Sequence, residues 1–169
     1  MGRQSEKEMK RVQKIMEHPF YLECMARIQK HEESREFCGH GMQHLLDVAR
    51  IAMLLNVTEN KDPIKKDVVY GAALLHDIGR FIQYEEGTDH AKASAKLAPE
   101  ILKDCGYKEE ERKLITEAIK SHRDKKVKKS SDLKGILYRA DKASRPCYNC
   151  AMEPSCHWKR KKKNQRIKY

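Results

Sequence analysis

The sequence predicts an all-α protein, and three observations predict it. Apolar residues recur at three- and four-residue intervals almost throughout the 169 residues, the period of a helix with one buried face. No segment alternates with period two for long enough to demand a strand. Residues that start and stop helices bracket most of the apolar runs. At this length the chain makes one domain with a real hydrophobic core, and not two.

Taken in order, Val12, Ile15 and Met16 mark a first helix that stops near Pro19, and Phe20 to about Ile28 gives a second. A third starts near Gly41 and carries His44, Val48, Ile51, Ala52 and Leu55 along one side. Asp62 followed by Pro63 is a good helix start, Asp as N-cap and Pro at the first helical position. A fourth helix is therefore expected from there to His76 or Asp77, with Gly79 as its stop. Thr88 or Asp89 can cap the next, through Ala91, Ala95 and Leu97 to Leu102, with Pro99 as a kink point and Gly106 as its end. Glu109 to His122 and Asp132 to about Arg145 supply the last two, separated by a polar, basic loop over residues 125–131. The expected division is a helical metal-binding domain over residues 1–145 and a Cys-rich segment with a basic tail over residues 146–169.

Charge and cysteine usage narrow the classes. The formal net charge is +11, but seven basic residues and no acidic one fall between Lys159 and Lys168, and setting them aside leaves +4. The basicity is largely that of a tail. No apolar run approaches the roughly 18 to 20 residues of a membrane span, and there is no signal-peptide core, so the cytoplasm is the expected compartment. The six cysteines are then expected to be reduced thiols rather than disulfides.

The chemistry concentrates around His76 and Asp77, which end the apolar run that begins at Val68. An imidazole and a carboxylate placed there need a partner, and a divalent metal fits. His44 opens an apolar helix, His90 follows a Gly-Thr turn, His122 closes another helix and Asp141 lies inside the last one. Any one of these histidines alone would read as a satisfied half-buried or surface residue. Six such groups, each beside an apolar stretch, read as one inward-facing site that helices of a bundle bring together.

The order His44, His76-Asp77, Asp141, with the flanking residues His44-Leu45-Leu46-Asp47-Val48-Ala49, Leu74-Leu75-His76-Asp77-Ile78-Gly79-Arg80 and Arg139-Ala140-Asp141-Lys142, closely resembles the HD superfamily of metal-dependent phosphohydrolases. The resemblance covers about residues 20–145 and implies a phosphodiesterase-like helical bundle. It also implies that His44, His76, Asp77 and Asp141 bind one divalent metal. His90 and His122 occupy the places of the two further histidines that hold a second metal in some members, with Asp77 bridging both.

Imidazole with carboxylate suits Mn, Fe, Co, Ni or Zn better than Ca, with Mg admissible, and ligand type alone does not choose among them. The implied activity is hydrolysis of a phosphomonoester or phosphodiester, that of a nucleotide first, by metal-activated water. Asp77 and Arg80 are the catalytic candidates. Arg80, Arg123 and Lys142 are candidate phosphate clamps, because their charge neutralises phosphoryl oxygens; a salt bridge from Arg80 to Glu85 or Glu86 is the competing expectation. His40, four residues before His44, is a candidate substrate contact or a solvent-facing cap.

The segment after residue 145 offers Cys147-x2-Cys150-x5-Cys156, a spacing that suits a structural zinc. Its fourth ligand is open among His157, Cys24, Cys38 and Cys105, and an iron–sulfur cluster and free thiols are the alternatives. The basic run with Trp158 is expected to give at most weak, non-specific binding of RNA or another polyanion. Two rival functions accompany the phosphohydrolase reading: a non-catalytic metal or nucleotide sensor, and an RNA-associated protein working through its tail.

Overall fold

The computed structural model describes the backbone of residues 2–169 and the side chains of residues 9–169. Among these the chain forms eight α-helices and no strand: α1 Gly2–Glu17, α2 Pro19–Glu32, α3 Met42–Glu59, α4 Lys66–Leu75, α5 Arg80–Glu86, α6 His90–Asp104, α7 Glu109–Ser121 and α8 Leu133–Ala143. No described helix is long and apolar enough to cross a membrane.

α4 is the central helix. Val68, Val69, Ala72, Ala73, Leu74 and Leu75 are all buried, which is why this stretch reads as a continuous apolar run rather than as one stripe. α1, α3 and α7 pack around it, and α8 packs against α3 and α7. Ile15, Tyr21, Ile28, Leu45, Val48, Ile101, Ile115 and Ile136 complete the core.

The helix starts follow side-chain chemistry at several points. Asp89 accepts from the Lys92 backbone N–H at 3.2 Å, and Asp132 accepts from that of Gly135 at 3.0 Å. Each satisfies a first-turn donor that has no partner within its helix. Gly106, at φ +83, closes the turn after α6 in the left-handed region that glycine enters without strain.

Two boundaries differ from the sequence expectation. α4 begins at Lys66, not at Asp62-Pro63. The side chain of Asn56 explains it, since its Oδ1 accepts from Ile64 N–H at 3.0 Å and its Nδ2 donates to the Ile64 carbonyl at 2.8 Å. That pair occupies the backbone groups a helix through Ile64 would need. Gly79 does not end a helix either: it precedes the short α5 and lies against α6. A Cβ there would meet the Ser94 backbone nitrogen at 2.4 Å, so the position requires glycine for close packing and not for a turn.

The far end of α4 is fixed by a charged node. The Asp67 side chain is fully buried and paired with Arg11, which also donates to Glu111 at 2.6 Å and lies over the Tyr107 ring at 4.2 Å. Tyr107 in turn donates its hydroxyl to the Asp67 carbonyl at 2.9 Å. This node ties α1, α4 and α7 together on the side of α4 away from His76.

Residues 146–169 form no α-helix; they make two short 3-10 turns, Cys147–Asn149 and Arg160–Lys162. The segment folds back on α8, where Asn164 Nδ2 donates to the carbonyls of Lys142 at 2.8 Å and Arg145 at 2.9 Å.

Candidate metal centre

Four helix ends and one helix interior deliver the candidate ligands. His44 lies in the first turn of α3, His76 directly follows α4, His90 is the first residue of α6, His122 directly follows α7, and Asp141 lies within α8. His76 and His122 are positioned by the same device. The last carbonyls of a helix lack intrahelical donors, and Nδ1 of His76 donates to the Ala73 carbonyl at 2.7 Å while Nδ1 of His122 donates to that of Ile119 at 2.6 Å. With Nδ1 so engaged, each ring presents Nε2 to the interior.

His44 is set by Ser144, a residue the sequence reading did not single out. The Ser144 hydroxyl donates to the Asp141 carbonyl at 2.8 Å and lies 3.2 Å from His44 Nδ1, whose N–H it accepts. Gln83 plays the corresponding part for His90 Nδ1.

Asp77 sits between two sets of imidazoles. Its Oδ2 is 3.2 Å from His76 Nε2 and 3.6 Å from His44 Nε2; its Oδ1 is 3.2 Å from His90 Nε2 and 3.7 Å from His122 Nε2. Asp141 Oδ1 completes the first set, 3.6 Å from His44 Nε2 and 3.8 Å from His76 Nε2. Three groups of potential ligand atoms gather within 4.8 Å: His44, His76 and Asp77; His76, His122 and Asp141; and Asp77, His90 and His122. All six residues named from the sequence are thus brought to one point.

The donor set fits a metal. Nε2 of His44, Nε2 of His76 and Oδ1 of Asp77 are buried without a hydrogen-bond partner. Buried polar atoms are seldom left so, because each costs its lost hydration; here the two imidazole nitrogens face the first set and Asp77 Oδ1 faces the second. Mixed nitrogen and oxygen donors suit a divalent transition ion.

The two halves differ in charge. Burial opposes ionisation of Asp77 and Asp141, yet the His76 imidazole beside both holds their carboxyls well below the usual range. Burial likewise disfavours the imidazolium of His76, but the two carboxylates outweigh it and raise its pKa to about 10. His90 and His122 go the other way: burial is the largest cause and takes them down to about 3 and about 4. Those two rings are neutral at pH 7 and ready to donate a lone pair.

The candidate phosphate contacts separate by position. The Arg80 guanidinium lies 2.7 Å from His90 Nδ1 and 3.2 Å from Nε2, at the edge of the centre. It makes no pair with Glu85, which is taken by Arg27 and His31. Lys142 donates to Asp141 and to the His122 carbonyl. Arg123 is turned outward onto Asp89.

His40 does not face open solvent. Its backbone N–H and Nδ1 both meet the Glu32 carboxylate, and its ring stands edge-on to His44 at 5.6 Å between centroids. Burial opposes the charge on Glu32, but hydrogen bonds from His40 and Tyr84 bring its carboxyl down to about 2. Nothing in the sequence pointed to Glu32, which lies in the last turn of α2 among other polar residues.

The arrangement defines a helical protein that gathers mostly buried His and Asp side chains able to hold a divalent ion. Residues 41–145 match the model of the HD domain. The chain is 42% identical over 161 residues to an uncharacterized protein of Clostridium beijerinckii, covering 95% of this chain and 100% of that one. It is also similar to the crystal structure of a predicted HD superfamily hydrolase from an uncultured Thermotogales bacterium, with a TM-score of 0.55, 27% identity, and coverage of 78% of this chain and 72% of the other. The chain belongs to the HD domain family.

Proposed function

We propose that the protein is a metal-dependent phosphohydrolase that cleaves a phosphomonoester or phosphodiester. The observation that carries this reading is the placement of Asp77, whose two carboxylate oxygens face separate histidine sets. His44, His76, Asp77 and Asp141 would hold one ion, and His90 and His122 with Asp77 a second. When bound, such a pair supplies Lewis-acid charge and lowers the pKa of water at neutral pH.

The chain's own groups have definite tasks in that reaction. Ser144, Ala73 and Ile119 fix the ring orientation of His44, His76 and His122, so that Nε2 is the free atom of each. Arg80 and Lys142 supply positive charge at the rim, where phosphoryl oxygens gain charge as the ester bond breaks. The Glu32 carboxylate holds His40 beside His44. A nucleotide as the bearer of the phosphate is the finer part of the proposal, favoured by the resemblance of the ligand motifs.

The test is a screen of the metal-loaded protein against nucleoside monophosphates, cyclic dinucleotides, nucleoside triphosphates and a generic aryl phosphate. Metal-dependent turnover that Asp77→Asn abolishes supports the reading. Tight nucleotide binding with no turnover under any metal would instead identify a sensor.

A further inference from the structure

Four thiols gather beside the helical centre, in a cavity that His44 also lines. Cys38, Cys147, Cys150 and Cys156 line one cavity of about 380 Å³. All four are free thiols at partly accessible positions, unlike Cys24 and Cys105, which are buried in the core. Three come from the C-terminal segment and the fourth from the loop before α3. The spacing Cys147-x2-Cys150-x5-Cys156 left a fourth ligand open, and the fold supplies Cys38.

Both walls of the cavity are held in place. Arg35 Nε donates to the Cys38 carbonyl at 2.8 Å. Opposite it, Lys163 Nζ donates to the Glu153 carbonyl at 2.7 Å and to its carboxylate at 2.9 Å, closing the loop that bears Cys156. Yet none of residues 146–169 is buried, so the segment has no apolar core of its own. Short segments that cannot bury a core are commonly held by a disulfide or a metal, and here the thiols are unpaired. Burial pushes the Cys38 thiol up, Cys147 and Cys150 push it further, and Arg145 pulls the other way.

Sulfur spacing selects the class of ligand. Four thiolates on one zinc, each at about 2.3 Å, bring the sulfurs to about 3.8 Å from one another. Among the described residues, the ligand atoms that gather in threes within 4.8 Å are those of the helical centre; the four thiols line one cavity, but no three of their sulfurs come that close together. A cluster with its own iron–sulfide core inside the thiolates requires that wider placement.

We propose that Cys38, Cys147, Cys150 and Cys156 bind a [4Fe–4S] cluster, which staples the C-terminal segment to the loop before α3. The proposal stands independently of the phosphohydrolase reading, since it uses none of the six His and Asp ligands.

The experiment is acid-labile sulfide analysis and electron paramagnetic resonance of the full chain, purified without oxygen and reduced with dithionite. Sulfide is the deciding quantity, because the helical centre contributes none whichever metal it holds. About four sulfides per chain are expected, with the signal of a reduced cluster. Cys38→Ser and Cys150→Ser should each lose most of the sulfide while far-UV circular dichroism keeps its helical amplitude, and Cys105→Ala should keep the sulfide. Absence of sulfide with one zinc per chain released by a thiol reagent would overturn the cluster. Full sulfide in Cys38→Ser would overturn Cys38 as its fourth ligand.

Discussion

His90 and His122 face each other Nε2 to Nε2 at 3.2 Å. Burial keeps both rings neutral at pH 7, and Nδ1 of His122 already donates to a carbonyl. His122 therefore turns a lone pair, and no proton, toward its neighbour. Two lone pairs so placed repel unless a cation lies between them and Asp77.

It follows that the second ion depends on this pair. Protein purified without chelator should approach two ions at the helical centre, and His90→Ala with His122→Ala should reduce that to one. Elemental analysis on a background that removes the thiol site, such as Cys150→Ser, separates the two centres. A count unchanged by the double substitution would remove these histidines from the ligand set.

Arg80 tests the phosphate clamp. Its guanidinium sits at the rim beside His90, and loss of one well-placed donor to a charged transition state costs on the order of 100-fold in kcat. Arg80→Ala should show a loss of that size with metal content unchanged. A KM effect alone would mean that Arg80 binds substrate without favouring the reacting state.

The raised pKa of His76 predicts the pH dependence of metal binding. In the metal-free protein its proton persists up to pH about 10, and a metal must displace it. Affinity should rise about tenfold per pH unit below that value, with one proton released per ion bound at His76. For the metal-free fold the sign is opposite: the stabilisation is complete below the usual imidazole value and is lost as pH rises through about 10. Calorimetry in buffers of different ionisation enthalpy counts the proton, and a pH-independent affinity would contradict the assignment.

Stability should respond most at a site remote from the chemistry. Arg11→Ala leaves the buried Asp67 carboxylate without its cation, and breaking a buried pair from one side costs about 3 kcal/mol. Urea unfolding of the metal-loaded protein measures it. A change within a few tenths of a kcal/mol would mean that water or protonation of Asp67 compensates.

The sequence made the candidate ligands legible because each carries distinctive chemistry next to an apolar run, as His76-Asp77 does after Leu74-Leu75. The residues that orient those ligands were not legible. Ser144, Gln83 and Glu32 are ordinary polar residues whose roles exist only once distant segments meet. The same reason hid the start of α4: Asp62-Pro63 is a sound local signal, overridden by the side chain of Asn56 six residues earlier in the chain. Gly79 was visible as a glycine, but the contact with Ser94 that demands it was not.

Ser144 belongs to two neighbourhoods at once. It orients His44 through one hydrogen bond, and it stands three residues before Cys147, where the chain leaves α8 under the carbonyl contacts of Asn164. Displacement of the tail is therefore transmitted through three residues and one hydrogen bond to a candidate metal ligand. A protease cut in the turn around residues 151–155 is expected to weaken metal retention, so the intactness of the C-terminal segment bears on how firmly the candidate centre is held.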